Sequence, residues 1–153
     1  MHIHGNALPP GFIRDIANGL FQRERGSWPL KEDKDHYGNA LETELGEVYS
    51  SPEAILMETK RLPAGFVPDG YYGSGTEASI FPAVSDITDF DFIVCFATSG
   101  DGAPFCFDYR ESVENPRIIW WDDDHWRAVA PDYESFVDLF QLPPRAWHNS
   151  RYR

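Results

Sequence analysis

Two hairpin-like pairs of strands, preceded by two short amphipathic helices and closed by a third, predict a single α+β domain. The first observation is a period of two in the second half: Ile93-Val94-Cys95-Phe96, a Ser99-Gly100-Asp101-Gly102 turn, then Pro104-Phe105-Cys106-Phe107. The second is Ile118-Ile119-Trp120-Trp121, three aspartates, and a further apolar stretch from Trp126. The third is apolar spacing of helical period on either side of these strands. A chain of 153 residues, 42% hydrophobic and 15% aromatic, suits one core; folding at this length buries roughly 70% of the unfolded surface. The domain is expected over residues 8–142, with residues 143–153 as a mildly basic tail.

A first helix is expected over residues 9–18. Phe12, Ile13, Ile16 and Leu20 recur at helical spacing, Pro10 fits an early turn, and Asn18-Gly19 offers a left-handed stop. Residues 21–39 lose the pattern and read as a ribbon or ordered loop. The second helix has a clear start, because Ser51 can cap, Pro52 suits the first helical position and Glu53 favours the positive end; Pro63 ends it. Residues 63–75 are dense in Pro and Gly, which predicts turns that bury Phe66, Tyr71 and Tyr72. Residues 77–84 read as an edge strand interrupted by Pro82.

The hairpins permit sharper inferences. An even-numbered loop places Phe96, Phe105 and Phe107 on one face and Cys95 with Cys106 on the other. A cytosolic setting keeps thiols reduced, so both cysteines are expected free. In the second hairpin, Trp121 faces Trp126 and Trp120 shares a face with Arg127. The core side is either Trp121 and Trp126 with Ile119 and Ala128, or Ile118, Trp120 and Val129 with Arg127 stacked on an indole. The other face is then covered by a helix or exposed for binding. Pro131 or Asp132 starts the last helix, with Tyr133, Phe136, Val137 and Phe140 as its stripe and Pro143-Pro144 as its stop.

Charge is regional. Between residues 86 and 142 there are 13 Asp or Glu against 3 Arg, which is ten of the twelve net negative charges. Clustered Lys and Arg, which phosphate binding needs, do not occur, so direct nucleic-acid binding is not expected and a basic protein partner is. No apolar run approaches the roughly 20 residues that span a bilayer, and the first residues have neither a basic start nor an apolar signal core. A cytoplasmic location is the expectation.

Asp122, Asp123, Asp124 and His125 could serve a divalent metal, but a tight turn points consecutive side chains apart, and such aspartates are common in hairpin turns. Asp101-Gly102 and Asp108 read as turn and strand-end residues. No Gly-x-Ser-x-Gly elbow occurs, and no Lys follows the Gly70, Gly73 and Gly75 run, which therefore lacks phosphate-loop chemistry. No cofactor, metal or catalytic residue is assigned.

Leu8-Pro9 with Phe12, the Asn18-Gly19 helix end, and above all Ile93-Val94-Cys95-Phe96, Ser99-Gly100-Asp101-Gly102 and Pro104-Phe105-Cys106-Phe107-Asp108 resemble the SUKH superfamily of Smi and Knr type. The likeness continues through Pro116, Ile118-Ile119-Trp120-Trp121, Trp126, Ala130-Pro131-Asp132 and Phe136; residues 19–75 fit it less well. The resemblance implies a central, largely antiparallel sheet flanked by helices and no catalytic activity. Many bacterial members are immunity proteins that neutralise a toxin, often a nuclease, and fungal relatives are regulatory scaffolds. A basic nuclease cleft would accept a carboxylate cluster, and Asp101, Glu111, Asp122, Asp123 and Asp124, rimmed by Trp120, are the expected partner-binding surface. A regulatory scaffold and a metal-dependent hydrolase using His125 are the alternatives.

Overall fold

The computed structural model describes residues 1–22, 26–65 and 81–144. The fold is α+β. Two short strands, β1 (His2–Ile3) and β2 (Asn6–Ala7), form a hairpin turned by His4 and Gly5, both at positive φ. Helix α1 (Pro10–Ala17) follows, with Phe12 fully buried and Gly19 at φ 74° beyond its end. The six-stranded antiparallel sheet has the order β3 (Trp28–Pro29), β4 (Glu44–Val48), β5 (Ile93–Ser99), β6 (Pro104–Asp108), β7 (Arg117–Asp122) and β8 (His125–Ala130). Helix α2 (Pro52–Arg61) lies between β4 and β5 in sequence, and α3 (Tyr133–Val137) follows β8. The first hairpin and β4 are elements that the sequence reading had not assigned.

Caps form where the residue types require them. Ser51 Oγ accepts from Ala54 N at 3.2 Å, and Asp132 Oδ1 accepts from Ser135 N at 2.8 Å, each satisfying a donor that the first helical turn leaves open. Beyond α2, Pro63 sits in a 3-10 turn, Leu62–Ala64. Helix α3 stops at Val137, well short of the prolines expected to end it. Its continuation spends its backbone on another segment: Lys31 N donates to Leu139 O, Gln141 N donates to Pro29 O, and Leu30 bridges Phe140. Residues 21–39 are indeed ribbon and loop, pinned by this pairing and by His36 N donating to Val129 O at the outer edge of β8. Of the expected edge strand over residues 77–84, only residues 81–84 are described, and they are not strand. Phe66, Tyr71, Tyr72 and the C-terminal tail from residue 145 lie outside the described residues.

Both faces of the sheet are core. One packs Phe96, Phe105, Phe107, Ile118, Trp120 and Val129 against Phe12 of α1 and Tyr133 and Phe136 of α3. Phe12 meets Phe96, Phe107 and Tyr133 edge-on at 5.4 to 5.7 Å, the geometry that ring quadrupoles favour. The opposite face packs Ile93, Cys95, Cys106, Ile119, Trp121 and Trp126 beneath Leu62, Val84 and Ile87. The tryptophan alternatives therefore resolve to neither being exposed. Trp121 faces Trp126 and Trp120 pairs with Arg127 as expected, and Cys95 and Cys106, expected on one face, are direct cross-strand partners. A bulge between Cys95 and Ala97 lets Phe96 and Ala97 both join the first core, the bend that an extra residue imposes on one strand. The thiols are free and buried.

Candidate functional site: the acidic end of the sheet

Register decides which acidic residues share a surface. Phe105 pairs with Trp120 and Asp108 with Arg117, so the β5–β6 turn and the β7–β8 turn project from the same end of the sheet. They are separated by two strand spacings, about 10 Å. Asp101 belongs to the first turn and Asp122, Asp123 and Asp124 to the second. Glu111 lies beyond the opposite end, where its carboxylate is 3.7 Å from Arg117 Nη1. Trp120, 5% exposed and stacked on Phe105, is inside the core and does not rim the surface. The structure thus brings four of the six expected residues together; Glu111 and Trp120 drop out, one by strand direction and the other by burial beneath the helices.

Each turn is internally braced. Ser99 N donates to Ala103 O at 2.8 Å, Ala103 N donates to Ser99 Oγ at 3.1 Å, and Gly102 takes φ 92°. Ser99 Oγ also bonds Asp101 Oδ1, which orients an exposed carboxylate. In the second turn Asp123 adopts φ 64°, a left-handed conformation that Asp tolerates better than most side chains. Asp124 N donates to Asp122 O at 2.7 Å, and Asp124 Oδ1 lies 2.8 Å from His125 Nδ1.

The four carboxylates are not equivalent. Asp122 is half-buried and lies 3.2 Å from Arg127 Nη1, while Arg127 Nη2 donates to Asp35 Oδ2 at 2.8 Å and to Ala40 O at 3.1 Å. Two carboxylates and a backbone carbonyl are thus the hydrogen-bond partners of this guanidinium, which one of the two tryptophan alternatives had stacked on an indole. Asp35 also accepts from Tyr37 N and Asn39 N, which closes the loop over residues 35–39. Asp122 is thus partly neutralised and structural. Asp101 and Asp123 are exposed with no cation against them among the described residues, so they carry most of the outward field. Among those residues no three His, Cys, Asp or Glu side chains converge as metal ligands.

The comparisons with known proteins follow the same line. The model of the SMI1 / KNR4 family (SUKH-1) matches residues 5–139. The chain belongs to that family. Neither curated proteins nor solved structures yielded a match. No helix among the described residues of this SUKH-1 chain is long and apolar enough to cross a membrane.

The other notable charged cluster in this SUKH-1 domain is structural. Asp108, at the end of β6 with a fully buried side chain, takes two bonds of 2.9 Å from Arg110 and one of 3.1 Å from Arg117 Nε. The two guanidiniums reach on to the carbonyls of Ala83, Ser85 and Asp86 and fasten that segment over the tryptophan face. Burial works against the charge of Asp108, yet the Arg110 hydrogen bonds and charge, with Arg117 behind them, outweigh it and hold the carboxyl below its usual range. Sequence reasoning passed over two further acidic residues near the acidic end. Glu44 and Glu47 of β4 are exposed, and the pairing of Leu45 with Ser99 places Glu44 beside the Ser99–Asp101 turn. The side chain of Glu44 folds over Gly100, where a Cβ would collide with it. A register shift between Leu45 and Val48 breaks the period of two in this strand, so the sequence held no clear signal for it.

Proposed function

We propose that the protein is a non-enzymatic binding module of the immunity type, which neutralises a toxin domain with a basic surface through the acidic end of its sheet. The observation that carries this reading is the convergence of Asp101, Asp123 and Asp124, with the partly neutralised Asp122, from two turns at one sheet end. A carboxylate cluster on a rigid scaffold suits the cationic cleft of a nuclease, where it both steers encounter and blocks phosphate access. Family membership supports a protein-binding role. The partner expected is the toxin domain encoded by a neighbouring gene, and the location expected is the compartment where that toxin acts, the cytoplasm.

The test is calorimetry of the full chain with that toxin domain. Replacing Asp101, Asp123 and Asp124 by Asn, while leaving the structural Asp122, should weaken binding by at least about tenfold, equivalent to 1.4 kcal/mol. Unchanged affinity in a folded triple variant would reject this surface.

A further inference from the structure

Arg127 lies at the root of the acidic turn, and its placement follows from the period of two. Asp122 stands two residues beyond Trp120 on β7, and Trp120 pairs with Arg127 on β8, so all three side chains leave the same face of the sheet. Diagonal neighbours of this kind are within reach of a long side chain. Only 6% of the Arg127 side chain is exposed, and its planar fork is divided between two carboxylates of different standing. Nη2 donates to Asp35 Oδ2 at 2.8 Å, and that carboxylate, with no exposed surface, also accepts from Tyr37 N, Asn39 N and Asn39 Nδ2. Nη1 donates to Asp122 Oδ2 at 3.2 Å, and the Asp122 side chain keeps 32% of its surface in solvent. Asp35 needs the cation, because an ionised group taken out of water is costly unless paired. Asp122, which water can solvate, does not. The second arm therefore adds little to folding, and its effect falls on the surface.

We infer that Arg127 determines specificity at the acidic end: it withdraws Asp122 from the partner and confines the partner's cations to Asp123 and Asp101. The inference rests on the binding reading above and deepens it by naming the residue that sets where a cation can sit. A Lys or Arg of the partner that approached Asp122 would meet a second cation on the same carboxylate, and like charges brought together in this way reject a misplaced partner. The loop of residues 35–40 is the anchor. Arg127 Nη2 also donates to Ala40 O at 3.1 Å, and His36 N donates to Val129 O on the same strand, so the guanidinium is tied down on the loop side.

Lysine separates the two arms. Its ammonium is a single point charge without the planar fork, so R127K keeps the net charge of the chain and the pair with buried Asp35 but releases Asp122. The probe is a capped hexa-arginine peptide, titrated into the full chain at low salt and followed by side-chain carboxyl and backbone amide resonances. In the native chain it should shift the carboxyls of Asp101 and Asp123 and leave that of Asp122 in place, and D122N should bind as the native chain does. R127K should bind about threefold more tightly, the size of one exposed ion pair, with the Asp122 carboxyl now shifted; D122N/R127K should lose that gain. Unmoved amides of Tyr37 and Asn39 show that the loop is still held in R127K; where they move, the native titration and D122N decide alone. A native Asp122 carboxyl that shifts with the peptide, or an effect of D122N that is the same in the native and R127K backgrounds, would overturn the role of Arg127. D101N/D123N keeps this outcome apart from the wider reading: it should weaken peptide binding, and if it does not, the acidic end itself is rejected.

Discussion

Asp108 shows how one side chain can be read wrongly as chemistry and rightly as architecture. A carboxylate with two arginines within 3.1 Å resembles catalytic electrostatics, but each guanidinium also holds backbone carbonyls of residues 83–86. Asp108→Asn would leave two partly buried cations short of an anion, and should cost about 3 kcal/mol in urea unfolding. Because the folded carboxyl is held below its ordinary value, its contribution is present above the unfolded pKa of about 3.9 and is lost as pH falls through the lower folded value. The gap between native and D108N midpoints should therefore persist from neutral pH to about pH 4 and close below it; a gap that opened only at high pH would contradict the assignment. Tyr133 is a second test at this scale. Its hydroxyl donates to buried Asp15 at 2.7 Å, linking α3 to α1, so Tyr133→Phe should cost about 1 to 2 kcal/mol with the fold retained.

At the level of elements, the hairpins were legible because a period of two runs through most of their length, despite one register shift in each, and their turns carry Gly and Asp. That pattern places Cys95 and Cys106 on one face and Trp121 opposite Trp126, as the structure has them. Two elements escaped for physical reasons. β4 contains Gly46 and two exposed glutamates, so its local propensity is poor and only its neighbours make it a strand. The end of α3 escaped because Leu139 O accepts from Lys31 N and Gln141 N donates to Pro29 O, a tertiary competition that no window of sequence records. Gly46 tests the first point. Gly46→Ala would press a methyl into the Ser99 carbonyl, and the strain should lower stability by about 1 to 3 kcal/mol. Thermal unfolding would report it, and an unchanged melting temperature would mean that β4 does not lie against β5 as described. On the covered tryptophan face, burial pushes the Cys106 thiol well above its ordinary pKa, with Cys95 adding to the effect. Both thiols should resist a disulfide reagent in the native state and react on denaturation.

For the molecule as a whole, the acidic composition, the absence of a catalytic motif and the likeness to the SUKH superfamily were readable from the chain, and the family match agrees with the last. The site was only half legible. Sequence could count carboxylates near tryptophans, but strand direction decides that Glu111 points away from Asp101, and helix packing decides that Trp120 is inside. What remains is a sheet covered on both faces, with Asp101, Asp123, Glu44 and Glu47 exposed toward one end and no cation against them among the described residues. Such a surface acts at a distance, so it should speed association more than it slows dissociation. The most direct measurement is the association rate with the proposed basic toxin partner as salt is raised, for the native chain and for the Asp101, Asp123 and Asp124 to Asn variant. The native rate should fall steeply as the screening length contracts below about 8 Å, and the variant should start slower and depend on salt much less. Equal rates and equal salt dependence in the two proteins would contradict the claim that this end of the sheet is the docking surface.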